Sequence, residues 1–227
     1  MTAVAGPRAT LLVIADGHNG FESAEAAVSH VLDVLGDDPP AELDRKEFVQ
    51  LFHDAGEAVL AVTRRLDCPN RESRTTLVVA LVGDRQLRWA AMGDSALFVA
   101  GPKRARRLDT PRSHFVGYPM TLDNVRERLP RGVFPLDGDE WVILVTDGFT
   151  DFLPGSPDTV SAATVAASSD DAAQLARDLM QRSFAHGAAD NVAVAVAAGS
   201  QDELTESDYS GRRHQITADH ASRRRTT

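Results

Sequence analysis

Hydrophobic and polar positions along the chain change period several times, and each change predicts an element. Leu11 to Ala15 is a short apolar run stopped by Asp16-Gly17-His18-Asn19-Gly20, which predicts a buried strand ending in a turn. From Ser23 to Leu35 the apolar residues Ala24, Ala27, Val28, Val31 and Leu35 recur at helical spacing. Gly36-Asp37-Asp38-Pro39-Pro40 closes that helix. A second helix is expected from an N-cap at Asp44 to Leu66, with Phe48, Leu51, Phe52, Ala55, Val59, Val62 and Leu66 as its buried stripe. His53 lies beside the stripe and reads as a packing or surface residue. Cys68-Pro69-Asn70 reads as a loop.

The period then shortens. Thr75–Val82 and Leu87–Met92 read as a hairpin across Gly83-Asp84, and Ala96–Ala100 as a further strand after the corner Gly93-Asp94-Ser95. Lys103, Arg104, Arg106 and Arg107 form a basic run of the kind that is usually a solvated turn. Pro111–Pro135 shows no clean period and is expected to be a loop region near a site. Glu140–Thr146 is again a strand, ended by Asp147-Gly148 with Asp151 beyond. Thr159 to Ser183 is helical, broken near Ser168-Ser169, with Asp170 capping the second piece and Leu175, Leu179 and Phe184 on its apolar face. Asp190-Asn191 opens a last strand, Val192–Ala197. Met1–Ala9 is small and polar, with no strand expected. Residues beyond Gly199 are polar and read as a weakly ordered tail, giving a domain over 1–199 and a tail over 200–227.

Composition narrows the function classes. The net charge is −9, and the tail's five basic and five acidic residues cancel, so the body carries the whole excess. That opposes non-specific nucleic-acid binding. No apolar run approaches the roughly 20 residues of a membrane span, and no secretory leader is apparent. A single cysteine, Cys68, permits no internal disulfide and no thiolate zinc site. These features suit a cytoplasmic protein.

The candidate chemistry lies at strand ends. Asp16, Asp94, Asp147 and Asp190 each sit at or beside one. Converged carboxylates repel unless protons or cations intervene, and hard oxygen donors favour Mg²⁺ or Mn²⁺ over zinc. Taken alone, each is an ordinary Asp-Gly turn, strand end or helix cap.

Together the motifs resemble the metal-dependent protein phosphatases of the PPM, or type 2C, family. Asp16-Gly17-His18-Asn19-Gly20 resembles its DGHGG box, Thr75-Thr76 its Ser/Thr pair, and Gly93-Asp94-Ser95 its GDSR box. Thr146-Asp147-Gly148-Phe149-Thr150-Asp151 resembles (S/T)DGxxD, and Asp190-Asn191-Val192 the terminal DN box. The boxes occur in the family's order over about residues 10–197. The resemblance implies an α+β fold, a four-layer αββα sandwich of two antiparallel sheets flanked by helices, with metals at one edge between the sheets. It implies hydrolysis of phosphoserine or phosphothreonine in proteins by a metal-bridging hydroxide. Two catalytic Mn²⁺ or Mg²⁺ ions would be held by Asp16, the Gly17 carbonyl, Asp147 and Asp190. An additional, weaker ion would sit at Asp94 and Asp151 together with Asp147. His18 would protonate the leaving oxygen, a task suited to a group that titrates near neutrality. The partners would be a phosphorylated protein and a serine/threonine kinase.

The front of the chain departs from the pattern. Family members carry, before the DGHGG box, a strand with a phosphate-gripping arginine and a Glu-Asp pair. Here no Asp or Glu precedes Asp16, and Arg8 is the arginine left to touch phosphate. The sequence therefore reads as a shortened domain with an open sheet edge. The alternative function is a weak or inactive pseudophosphatase that binds a phosphoprotein or kinase. Asn19 in place of Gly and Ala96 in place of Arg are smaller departures. A small-molecule phosphohydrolase has less support, since no P-loop is present.

Overall fold

The computed structural model describes residues 1–65, 72–101, 105–109, 114–153, 155, 159–160 and 172–199. The end of the second expected helix at Leu66, the Cys68-Pro69-Asn70 loop, Lys103 and Arg104, the Ser168-Ser169 break, the Asp170 cap and the 200–227 tail lie outside them.

Two antiparallel sheets face each other. Strands β1 (Thr2–Ala5), β2 (Thr10–Ile14), β5 (Leu77–Gly83), β6 (Gln86–Met92) and β9 (Arg131–Pro135) form one, in the order β1-β2-β5-β6-β9. The other runs β11 (Val194–Ala198), β10 (Trp141–Val145), β7 (Ala96–Ala100), β8 (Ala105–Arg107). A two-residue ladder pairs β3 (Gly17–His18) with β4 (Arg74–Thr75).

Alternation along each strand assigns the layers. Leu11, Val13, Leu77, Val79 and Leu81 face helices α1 (Glu22–Leu35) and α2 (Arg45–Arg65). Leu12, Ile14, Val78, Val82, Leu97, Val99, Val142 and Leu144 fill the space between the sheets. Phe98, Trp141, Ile143 and Val145 face α5 (Ala172–Ala185), which contributes Leu175 and Leu179. Central strands buried on both faces carry no polar alternation, which is why they read as continuous apolar runs. The result is the expected four-layer arrangement. Asp44 opens α2 as expected, its Oδ1 accepting the amide hydrogens of Lys46 and Glu47.

Four expectations are corrected. Residues 2–5 are a strand: β1 pairs with β2 from Thr2↔Val13 to Ala5↔Thr10, so the edge of β2 is covered. The turn closes through the Gly6 amide and the Ala9 carbonyl, and Val4 alone of the four strand residues is fully buried. So short and small a strand leaves little pattern. The Pro111–Pro135 loop region contains α3 (Leu122–Arg128) and β9 among its described residues. Thr121 caps α3 by accepting the Asn124 amide hydrogen, and β9 takes its place by pairing with β6. The expected strand over 75–82 breaks at Thr76 into β4 and β5. Phe184 is exposed, not buried. It stands nine residues after Leu175, half a helical rotation away, and Ser183 takes the buried position.

Candidate active site

The strand ends converge at one end of the sandwich, where β2, β7, β10 and the approach to β11 each deliver a carboxylate. Asp16 follows β2 and is fixed through its backbone. Its amide donates to the Thr76 hydroxyl at 2.8 Å, and its carbonyl accepts from the Thr75 hydroxyl at 2.8 Å and the Thr76 amide at 2.9 Å. Thr76 Oγ1 lies 2.7 Å from Ser95 Oγ, which links this clamp to the Asp94 corner. Thr75, Thr76 and Ser95 are all buried. A buried hydroxyl chain with each member partnered fixes geometry that a loop alone would not hold.

Gly17 cannot be replaced without movement, since a Cβ there would lie 2.2 Å from the Gly20 carbonyl oxygen. Asn19 has φ 63°, a conformation asparagine tolerates better than most residues, so its departure from the Gly of the family box is mild. His18 is exposed and its ring leans on Phe115, with centroids 4.7 Å apart and planes tilted by 58°.

Asp147 begins α4 (Asp147–Thr150), directly after β10. Thr146 fastens this corner to the last strand: its amide donates to the Ala193 carbonyl and its hydroxyl bonds both the Ala193 amide and the Asn191 carbonyl. Gly148 sits so close to that segment that a Cβ would lie 2.3 Å from the Asn191 carbonyl oxygen. Ser183 of α5 donates to the Gly148 carbonyl. Asp147 and Asp190 are thereby held at one corner. Asp190 is exposed and accepts the Asn191 amide hydrogen, and Asp151, also exposed, donates its amide to the Asp147 carbonyl.

The carboxylates feel one another. Burial, then the Asp147 charge and a hydrogen bond to it, then Asp190 and Asp94, push the Asp16 carboxyl up to about 7. Burial and Asp147 also raise Asp94, with a smaller contribution from Asp151 and an opposing one from His18. All five predicted aspartates and His18 therefore belong to one electrostatic cluster.

Arg8 does not join it. It pairs with Asp38 at 2.6 Å in an exposed turn before β2. At about 3.3 Å per strand residue, the eight-residue separation puts it on the order of 25 Å from Asp16, at the other end of β2. This corrects the expectation that Arg8 touches phosphate.

Two basic residues escaped the sequence reading as site elements. Arg107, part of the basic run, forks onto Asp109 and reaches the Asp94 carbonyl at 3.3 Å. Asp109 is buried and accepts the Leu97 amide hydrogen, so this pair anchors the Asp94 corner. Arg74 stands directly across the β3–β4 ladder from His18, its guanidinium 3.7 Å above the Tyr118 ring. A basic run gives no hint of a carboxylate two residues on, and a lone arginine before Thr75 gives no hint of its cross-strand neighbour.

The cluster can be tested for fit to divalent cations. Asp94 Oδ1 and Asp147 Oδ1 are buried without a hydrogen-bond partner. Orphaned anionic oxygens of this kind, amid mutually repelling carboxylates, suit a hard cation. Among the described residues, no three His, Cys, Asp or Glu side chains close into a ready-made ligand cage. The donor set fits in chemistry and charge, in an open arrangement.

Comparison with known proteins places this architecture in a family. A family model described as protein phosphatase 2C matches residues 2–182. The chain belongs to the protein phosphatase 2C family. Among solved structures it is similar to a bacterial serine phosphatase (16% identity, TM-score 0.71, covering 89% of this chain and 91% of that one). It is also similar to the serine/threonine phosphatase Stp1 from Staphylococcus aureus (17%, TM-score 0.68, 84% and 84%). A third is the Mycobacterium tuberculosis serine/threonine phosphatase PstP/Ppp (19%, TM-score 0.62, 87% and 90%). At these identities the likeness is one of fold. No curated protein matches the chain.

Proposed function

We propose that the chain hydrolyses phosphoserine and phosphothreonine in proteins, with Mn²⁺ or Mg²⁺ held by Asp16, the Gly17 carbonyl, Asp147 and Asp190, and a further ion at Asp94 and Asp151. The observation that carries this reading is the convergence of the aspartates at one end of the sandwich, with buried Asp94 and Asp147 oxygens left unpartnered. When bound, such a pair of cations supplies Lewis acidity at the phosphoryl oxygens and brings a water toward ionisation near neutral pH.

The chain's own residues do the rest. The Thr75–Thr76–Ser95 hydroxyls hold the Asp16 backbone in one orientation. Thr146 and Gly148 set the Asp147 and Asp190 segments against each other. His18 stands exposed at the rim and donates a proton to the leaving seryl or threonyl oxygen as the P–O bond breaks. The water oxygen remains on the phosphate, so no side chain has to carry the phosphoryl group.

Phosphate release from a phosphothreonyl peptide tests the reading. Release is expected with Mn²⁺, none with EDTA, and a drop of at least 100-fold in Asp147→Ala and Asp190→Ala, the order expected when an electrostatic element of the transition state is removed. Turnover that survives both substitutions would refute it.

One observation favours a second reading, a pseudophosphatase that binds without turnover. β1 carries no charged residue, and Arg8 is committed to Asp38. That reading predicts a calorimetric binding signal for the phosphopeptide with no phosphate released under any metal.

A further inference from the structure

Beside His18 lies a groove of about 500 Å³ lined by His114, Phe115, Tyr118, Pro119, Met120, Asn124 and Arg128. We propose that this groove seats the substrate polypeptide and that Arg74 reads an acidic side chain next to the phosphorylated residue. The proposal rests on the phosphatase reading above, and names the kind of substrate it favours.

The geometry ties the groove to the reaction. Phe115 forms part of its wall and carries the His18 ring. Tyr118 forms another part and carries the Arg74 guanidinium. His18 and Arg74 are directly opposed across an antiparallel ladder, so their side chains leave the same face about 5 Å apart at Cβ. An extended peptide advances about 3.3 Å per residue. A phosphoresidue at His18 therefore puts a side chain one or two positions away within reach of Arg74. Val116 bridges to Thr75, which keeps the Phe115–Tyr118 segment in register with the ladder.

The charge is unusual for this protein. The whole chain carries −9, yet Arg128 and His114 line this groove and Arg74 stacks on its Tyr118 wall. Among the described residues, neither Arg74 nor Arg128 has a carboxylate partner, whereas Arg126 on the same helix as Arg128 is paired with Asp123. Stacking on Tyr118 fixes the guanidinium plane and leaves its edge free to fork onto a carboxylate. Cationic groups with aromatic walls complement an acidic, extended chain and repel a basic one.

Two phosphothreonyl peptides test this, one flanked by glutamates and one by lysines. kcat/KM is measured with Mn²⁺ on the full chain. Dissociation constants of fluorescein-labelled copies are measured by polarisation on Asp147→Asn, which keeps them intact. The glutamate peptide is expected to be favoured about fivefold through KM and Kd, with the preference shrinking as salt rises. Arg74→Ala should bring the two peptides within twofold of each other, and Arg74→Lys should restore part of the difference. Arg128→Ala should lower the preference independently, which covers a poorly folding Arg74 variant. No preference in the unmodified chain, or an equal loss on both peptides in Arg74→Ala, would overturn the proposal. A binding preference without turnover would refute the phosphatase reading and leave the groove standing. Turnover without preference would do the reverse.

Discussion

The hydroxyl of Thr76 accepts the amide hydrogen of Asp16 at 2.8 Å, across sixty residues of sequence. This bond holds the first metal-site candidate to the residue that leads into β5, the middle strand of its sheet. Thr76→Val keeps the shape and removes the acceptor. The buried amide is then unsatisfied, at a cost of about 1–3 kcal/mol. Urea denaturation should show that loss. The same variant should need more Mn²⁺ for half-maximal phosphate release, because Asp16 is no longer held.

Gly148→Ala pushes a methyl group into the Asn191 carbonyl. The Asp147 and Asp190 segments must then separate. A stability loss of about 1–3 kcal/mol is expected, as for overpacking elsewhere, together with loss of metal-dependent turnover. Thermal melts and phosphate release on the same preparation check both.

Arg107→Ala leaves the buried Asp109 carboxylate without its guanidinium. Breaking such a pair costs about 3–5 kcal/mol when fully buried, and about half that here because Arg107 is partly exposed. Chemical denaturation should show the loss. Arg107→Lys should recover only part of it, since an ammonium cannot fork.

Asp16 makes stability depend on pH in the metal-free protein. Its carboxyl titrates near 3.8 as a free group and about 7 in the fold. Between those values the folded state holds a proton that the unfolded state has lost, so stability falls as pH rises through this window and levels off above it. Asp16→Asn should flatten the slope, and in EDTA at pH 8 should be more stable than the unmodified chain by about 1–3 kcal/mol after allowance for solvent screening. Saturating Mn²⁺ should reverse that order, because only the carboxylate gains from the cation. Melts from pH 4 to 8, with and without metal, read all of this.

Much of the fold was legible because its central strands are buried on both faces. Leu11–Ile14, Leu77–Val82 and Trp141–Val145 are apolar throughout. The aspartates were legible for the same reason: a strand end is a sharp boundary in the sequence. What escaped was short or relational. β1 has four small residues, and α3 spans two turns behind a threonine cap. Arg8 was the nearest basic residue to Asp16 in sequence, but a strand separates the two. Arg74 carries no local mark in the sequence, yet the register of a two-residue ladder sets it opposite His18. Pairing across the chain, not local pattern, decides which cation stands opposite His18.

On the proposed function, Asp16, Asp147 and Asp190 together hold divalent cations. Crystals grown with Mn²⁺ and measured for anomalous scattering test it most directly. Mn²⁺ peaks bounded by the carboxylates of these three residues are expected, absent from Asp147→Asn crystals grown alongside. Crystals saturated with Mn²⁺ that show no peak there, or peaks that persist in Asp147→Asn, would contradict it.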